Sequence, residues 1–322
     1  MLKTSAAFTR SNPRFIAALL AASVAPMALA DEGYQAKPPL TASAYATNFL
    51  GTVAVQTAVG HNPTAAQDPV VTVFNLNGGP GYPIQLYNPP NFRYSNAQWN
   101  RQVLGTVFGL TLDSSGNMYV GHSKIYTNIG YNNTGTVALP AAALNTSGSI
   151  YKLNGVTGAP TKFANLPQLG TGAGVGNLCY NKDHNCFYAT NMHDGRIYRL
   201  NGTTGAALST FNPSTGIVSL GGAPLAGWAN IIAPLGQRIW GIERNKDRVY
   251  YAIWSNDYSV TTNPPATIRS VKIGPAGDFV PGTDQLELTV PVYFPTNWSH
   301  PVSDIAFSDD GKMLLAERSM LG

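Results

Sequence analysis

The chain has 322 residues, of which 11% are charged, with 20 Lys and Arg against 16 Asp and Glu. Lys3, Arg10 and Arg14 lie near the start, so residues 31–322 keep 17 basic and 16 acidic side chains. This near-neutral balance argues against a nucleic-acid partner, because no basic footprint is left. The 33 Gly and 23 Pro favour many tight turns and hence an all-β fold.

The first 30 residues have the pattern of a secretory signal peptide. Basic residues precede an apolar run from Phe15 to Ala30, and the small-residue motif "ALA" stands directly before Asp31. This pattern predicts export to the periplasm or the extracellular space. Pro26 and the shortness of the run argue against a retained anchor, and no later apolar run reaches transmembrane length.

Residues 31–66 form the next segment, which is rich in Ala, Pro and Thr and reads as a leader or linker. Only "FLGTVAVQT" at 49–57 alternates enough to be a candidate edge strand. The remaining residues, 67–322, are predicted to form one domain. Their length is sufficient for a single large β-domain.

One sequence motif recurs along this domain. "RIYRLNGTTGAALSTF" at 196–211 resembles "SIYKLNGVTGAPTKFA" at 149–164, and a weaker copy begins at 72 with "TVFNLNGG". Each copy has two alternating apolar stretches around a turn of Asn and Gly, which predicts a β-hairpin. We name these the outer hairpins, with the weak copy spanning 72–88.

A second hairpin type, the inner hairpin, combines an apolar strand, a polar turn and an aromatic or aliphatic return strand. Its four copies span 107–123, 175–191, 239–255 and 302–318. Equivalent positions Leu110, Leu178, Ile242 and Ile305 are 68, 64 and 63 residues apart. We interpret the stretches 124–147 and 214–236 as insertions that lengthen the repeat.

An inner and an outer hairpin together make a four-stranded antiparallel unit, and such units repeated around an axis form a β-propeller. "NCFYATNMHDGRIYRLNGTTG" at 185–205 and "VSDIAFSDDGKMLLAER" at 302–318 resemble blades of the NHL, YncE-like and gluconolactonase-like propeller group. The resemblance covers residues 70–318 and implies architecture only. Its members include lactonases, lyases, scaffold proteins and binding modules.

About four blades are visible, and two interpretations of the ends remain open. In one, the hairpin at 72–88 pairs with 312–317 and closes the ring, burying Val73 against Ile305 and Leu315. In the other, the chain is a fragment of a six- or seven-bladed propeller.

The chain has two cysteines, Cys179 and Cys186. If the hairpin turns through residues 181–184, the two face each other across the strands at a separation that a disulfide can bridge. Export makes an intrachain disulfide the expected state. A free buried pair is the alternative, and the spacing does not supply a zinc site.

Two sets of positions in the inner hairpins point toward the centre of a propeller. The first set is Gly109, Asn177, Gly241 and Asp304, and the second is His122, Thr190, Ile253 and Glu317. The resemblance to gluconolactonase-like proteins implies a divalent cation such as calcium, held by Asn177, Asp304 and Glu317. The alternative is that the Asx side chains only bond backbone groups.

Among the five histidines, His122 and His300 lie nearest the predicted centre. They are the candidates for general bases or ligands if the protein is a lyase or lactonase. The sequence therefore supports two functions. The first is an exported binding or scaffolding module for a protein, a glycan or a small molecule. The second is a metal-assisted lactonase or lyase.

Overall fold

The computed structural model describes residues 53–57, 69–75, 93–123, 148–168, 173–223, 232–255, 264–291 and 300–318. These ranges contain 18 β-strands and one short helix, and all strand pairs are antiparallel. The all-β prediction is therefore confirmed. The signal peptide, and the leader apart from 53–57, lie outside the described residues.

The first sheet has the order β1-β2-β3, with β1 Val53–Thr57, β2 Val71–Asn75 and β3 Arg93–Tyr94. The candidate strand predicted within 49–57 is thus present over Val53–Thr57, and it lies at a sheet edge as expected. The helix Arg101–Leu104 follows, capped by Asn100, whose Oδ1 accepts from the Val103 N–H at 3.0 Å. No helix in the described ranges has the length and apolarity that a bilayer crossing needs.

Four further sheets follow along the chain, each a simple up-and-down meander. The second sheet has β4 Val107–Leu112, β5 Met118–His122, β6 Ser149–Leu153 and β7 Pro160–Asn165. The third has β8 Val175–Asn181, β9 Cys186–Asn191, β10 Arg196–Asn201, β11 Ala207–Asn212 and β12 Ile217–Leu220. The fourth has β13 Arg238–Asn245, β14 Arg248–Trp254, β15 Thr267–Lys272 and β16 Gln285–Thr289. The fifth has β17 Val302–Phe307 and β18 Met313–Glu317.

All four predicted inner hairpins are antiparallel pairs, and so are the outer hairpins at 149–165 and 196–212. One interpretation needs correction. The stretch 214–236 is not merely an insertion, because it contributes the fifth strand β12 to the third sheet.

The repeated Asn-Gly turns share one hydrogen-bonding scheme. In the turn after β10, Asn201 Oδ1 accepts from the N–H groups of Thr203 at 2.9 Å and Thr204 at 3.0 Å. Gly205 then adopts φ 71° and donates its N–H to the Asn201 carbonyl at 2.9 Å. Positive φ explains the Gly, and the Asx side chain explains the Asn. The recurring motif therefore encodes the turn through contacts within a few residues.

The sheets stack face to face in chain order. Tyr119 and Ile150 of the second sheet share a buried cluster with Phe187 of the third. Cys179 and Tyr188 of the third sheet share another with Tyr251 of the fourth. Clusters of the same kind join the first sheet to the second and the fourth sheet to the fifth. The third sheet is consequently covered on both faces.

Of the two interpretations of the chain ends, the closure interpretation is wrong in one respect that the described strands test, the pairing of the strand at 72–75 with 312–317. β2 is already flanked by β1 and β3, so neither of its edges is open to β18. Val73 packs with Trp99 and Leu104, whereas Ile305 and Leu315 pack against the fourth sheet. The second strand of the predicted 72–88 hairpin lies outside the described residues.

Candidate functional site

The first strand of each of the last four sheets carries an irregularity at the same place. The register shifts between Val107/Leu110, Val175/Leu178, Ile239/Ile242 and Val302/Asp304. The first set of predicted central positions, Gly109, Asn177, Gly241 and Asp304, lies at these bulges. Bulges redirect side chains and are frequent beside functional sites. The candidate site is therefore the set of four bulges.

Glycine lets neighbouring first strands touch at these bulges. A Cβ on Gly109 would lie 2.8 Å from the Asn177 Cα, and one on Gly176 would lie 3.1 Å from the Trp240 Cα. A Cβ on Gly241 would lie 3.1 Å from the Val302 carbonyl oxygen. The sequence placed two of these glycines, Gly109 and Gly241, among the positions predicted to face the centre. The structure shows that they are contact points between strands.

Asn177 links three sheets through one side chain. Its Oδ1 accepts from the N–H of Leu110 on β4 at 3.3 Å, and also from its neighbour Leu178 at 2.8 Å. Its Nδ2 donates to the Ser303 carbonyl at 3.1 Å and to Asp304 Oδ1 at 2.8 Å, both on β17. The side-chain amide therefore uses its oxygen as an acceptor toward β4 and its NH₂ as a donor toward β17.

Asp304 is the acidic member of the bulge set. Its Oδ1 accepts from the Asn177 amide and from the Ile305 N–H at 3.0 Å, while Oδ2 accepts no hydrogen bond within the described part of the chain. The residue is exposed, yet the strands packed around it desolvate the carboxyl and raise its pKa. The two hydrogen bonds to Oδ1 oppose that shift.

The other predicted ligand, Glu317, lies opposite Val302 on β18 and is exposed. The structure thus brings Asn177 and Asp304 into contact, with Glu317 on the adjacent strand. No group of three or more His, Cys, Asp and Glu side chains suited to a metal occurs in the described residues. The expected cation set remains a hypothesis.

His122 lies opposite Val107 at the end of β5 and is 1% exposed. Its imidazole packs against Gly105 so closely that any side chain at position 105 would overlap the ring. His300 is partly buried and precedes Pro301, whose carbonyl accepts from the Arg318 N–H at 2.9 Å. Their assignment as general bases stays a prediction.

The second set of central positions needs a one-residue correction in the third sheet. Val175 pairs with Asn191, so Asn191, not Thr190, is equivalent to His122, Ile253 and Glu317. Asn191 is buried and donates to the Pro167 carbonyl at 2.9 Å while accepting from Gln168 at 2.8 Å. All four hairpins share the bulge, so the slip comes from the longer hairpin of the third sheet: 13 residues separate Leu178 from Asn191, against 12 between Leu110 and His122. Alternation alone does not reveal it.

The register expected for the cysteines is also wrong. Cys186 lies opposite Asn181, and Cys179 lies opposite Tyr188, so the two thiols are diagonal neighbours on one face. Diagonal Cα atoms are separated by about 7–8 Å, beyond the usual disulfide range. Both cysteines are free and buried, in place of the expected disulfide. Burial raises the pKa of both thiols.

Sequence reasoning missed a row of stacked aromatic and arginine side chains at the start of the first strands and the end of the second strands. The Arg318 guanidinium lies 4.5 Å from the centre of the Phe108 ring, which lies 6.0 Å from that of Trp240. Trp240 is 5.7 Å from Trp254, and Arg238 covers the Trp254 ring at 4.4 Å. The row joins the second, fourth and fifth sheets by cation–π and ring contacts.

Comparison with known proteins gives little beyond this geometry. No protein-family model and no curated protein match the chain. The extracellular domain of a hybrid two-component system from B. thetaiotaomicron aligns with 77% of this chain and 22% of its own, at 10% identity and TM-score 0.36. A structural-genomics protein of unknown function from Bacteroides thetaiotaomicron aligns over 68% and 46%, at 14% identity and TM-score 0.38. The chain spans less than half the length of either structure, and the similarity is too low to assign fold or function.

Proposed function

We propose that this chain is an exported β-propeller that acts as a binding or scaffolding module. Its ligand would be a protein, a glycan or a small molecule, and the near-neutral charge disfavours nucleic acid. The signal-peptide pattern of residues 1–30 supports export.

The packing of the first strands supports the propeller. β8 packs against β4 on one side and β13 on the other, and β13 packs in turn against β17. Asn177 on β8 nevertheless reaches β17, two sheets away, and Arg318 from the fifth sheet reaches Phe108 of the second. Such contacts need first strands that curve around a common centre, as propeller blades do.

The Asn177 side chain is the observation that favours a scaffold. Its amide bonds β4 and β17 and also bonds Asp304 Oδ1, so the central polar groups are used to hold sheets together. Catalytic and metal-binding carboxylates instead need open positions for substrate or ion. The geometry therefore favours a rigid centre that presents outer surfaces and loops.

One observation keeps the metal-assisted lactonase or lyase as the second candidate. Asp304 is exposed, and its Oδ2 accepts no hydrogen bond from any described residue, so one carboxylate oxygen is open to a ligand. A cation at that oxygen would need further oxygen ligands. Glu317 on the adjacent strand β18 has a carboxylate that could serve as one.

Metal analysis of the purified protein, followed by titration with Ca²⁺, separates the two candidates. We expect no stoichiometric ion and no saturable rise in melting temperature. One ion per chain that is lost in Asp304→Asn and kept in Asp310→Asn would favour the metal-assisted enzyme. Asp310 is a suitable control because it is an exposed carboxylate in the turn of the same hairpin.

A positive test of the binding role uses immobilised protein and a panel of purified polysaccharides, peptides and small metabolites. We expect saturable binding of at least one class without turnover of lactone substrates. Lactone hydrolysis that is lost in His122→Gln or Asp304→Asn would contradict the scaffold. Separately, sequencing the amino terminus of the secreted protein should give Asp31 as its first residue.

A further inference from the structure

The strand β12 extends the third sheet beyond the four strands found in the second and fourth sheets. It pairs with β11 on one side only, and its outer edge carries no partner strand in the described residues. Two of its large aliphatic side chains face solvent, with Ile217 58% and Leu220 90% exposed. The edge is therefore open and apolar.

The hydrogen-bonding direction of β12 follows from its last bond to β11. The Gly221 N–H donates to the Leu208 carbonyl at 2.9 Å, so residue 221 and its alternates Ser219 and Ile217 face β11. Val218 and Leu220 then direct their N–H and C=O groups away from the sheet. These are the groups that an added strand would bond.

The edge also lacks three of the features that normally prevent strand addition. Natural edge strands are protected by shortness, charges, prolines or bulges, and the four-residue β12 has only the first of these. The last strands of the second, fourth and fifth sheets each have a charge, namely Lys162 on β7, Glu287 on β16 and Glu317 on β18. β12 has no charge, no proline and no register shift, and no Asp, Glu, Lys or Arg occurs anywhere in residues 200–237.

We propose that β12 pairs edge to edge with β12 of a second copy of this chain. In an antiparallel pair with its two-fold axis at Ser219, Val218 lies opposite Leu220 of the partner subunit. Both outward-facing residues of each strand are then hydrogen-bonded, and Val218 packs against an exposed leucine. An uncharged strand suits its own copy because the two-fold brings no like charges together.

The register makes a specific geometric claim. Ser219 becomes a non-hydrogen-bonded pair with Ser219 of the partner subunit, and Cα atoms in such pairs are about 4.5 Å apart. That distance lies within the range for a disulfide. A Ser219→Cys variant should therefore form a covalent dimer under mild oxidation, whereas the buried Cys179 and Cys186 should not cross-link copies.

Sedimentation or light scattering of the purified protein over a range of concentrations tests the proposal. We expect a concentration-dependent dimer that Leu220→Lys weakens at least about tenfold. Leu220→Pro should act likewise, because it removes only an outward-facing N–H. Leu314→Lys is the matched control, since Leu314 is 71% exposed on the other terminal edge strand, β18, and should leave the dimer intact.

Three outcomes would overturn the proposal: a monomer at all concentrations, a dimer that Leu220→Lys leaves unchanged, or equal weakening by Leu314→Lys. Circular dichroism of each variant confirms that the fold is kept. Leu220→Lys should pass this check because the side chain makes almost no contact in the monomer. Failure of Ser219→Cys to cross-link in a dimeric sample would reject the register.

Discussion

The central third sheet and the terminal β17–β18 hairpin share the inner-hairpin sequence pattern, but they are packed very differently. Every residue of β8 and β9 is buried, whereas three of the five residues of β18 are exposed. The third sheet has apolar clusters on both faces, while the described apolar cluster of the hairpin is shared with the fourth sheet. The position of a hairpin among the stacked sheets, more than its local sequence, determines how deeply its side chains are buried.

The largest expected difference concerns two leucines in the inner hairpins. Leu178 on β8 is 2% exposed in a cluster with Phe187, whereas Leu314 on β18 is 71% exposed. Leu178→Ala should lower the free energy of unfolding by about 2–5 kcal/mol, and Leu314→Ala should change it by less than about 0.5 kcal/mol. Denaturant unfolding measures both. Similar losses for the two variants would mean that the terminal hairpin is as well packed as the centre.

The same comparison predicts a pH effect at Asp194, in the turn between β9 and β10. Asp194 is 8% exposed and accepts from the Tyr198 hydroxyl and the Arg196 N–H, and burial raises its pKa to about 6. Because the folded pKa exceeds the unfolded value, this carboxyl favours folding at low pH. That contribution is complete below about pH 4 and is lost as the pH rises through about 6, a change of about 3 kcal/mol.

Asp194→Asn should therefore be more stable than the wild type at pH 7–8 and similar to it near pH 4. Asp310 in the terminal hairpin is the control. Its pKa is lowered to about 2 by hydrogen bonds from Lys312 and Ser308, but it is fully exposed, so Asp310→Asn should change stability little above pH 4. Unfolding midpoints between pH 4 and 8 decide the matter. If the unfolding midpoint of Asp194→Asn depended on pH in the same way as that of the wild type, the raised pKa of Asp194 would be contradicted.

A smaller loss of stability is expected when a glycine at a bulge is replaced, with a glycine away from the bulges as the control. A methyl at Gly109 would lie 2.8 Å from the Asn177 Cα, so Gly109→Ala must displace the neighbouring strand and should cost about 1–3 kcal/mol. Gly274 has 3.8 Å to its nearest neighbours, so Gly274→Ala should be tolerated. Thermal unfolding of the two variants compares them. Equal melting temperatures would show that β4 and β8 are not in backbone contact.

The smallest expected effect concerns the cysteines of the central sheet. Because Cys179 and Cys186 are free thiols, a reducing agent should leave the melting temperature unchanged. Both should react with a thiol reagent only after unfolding, since they are at most 1% exposed. A lower melting temperature in reductant, or fewer than two thiols in the denatured protein, would reinstate the disulfide.

Local chemistry accounts for what the sequence predicts correctly. The hairpins are predictable because Asn201, Gly205 and their equivalents fix each turn by contacts within a few residues. The β-class follows from the same turns and from period-2 alternation. Both signals are complete within about 16 residues of sequence.

The errors arise where a contact depends on register or on a distant strand. The turn between β8 and β9 sets a register that places Cys186 opposite Asn181 and makes Asn191, not Thr190, the equivalent position. The role of Gly109 as a contact point was not predicted, because its neighbour Asn177 is 68 residues away. Pairing between sheets is nonlocal, so a single sequence gives no direct signal for it.

The contact between Asn177 and Asp304 is the central claim, since it joins strands 127 residues apart. A double-mutant cycle with Asn177→Ala, Asp304→Ala and the double variant, measured by denaturant unfolding, tests it most directly. The account predicts a coupling energy of about 1 kcal/mol or more, because the two side chains share a hydrogen bond within one network. Additivity within about 0.3 kcal/mol would contradict a centre held together by these residues.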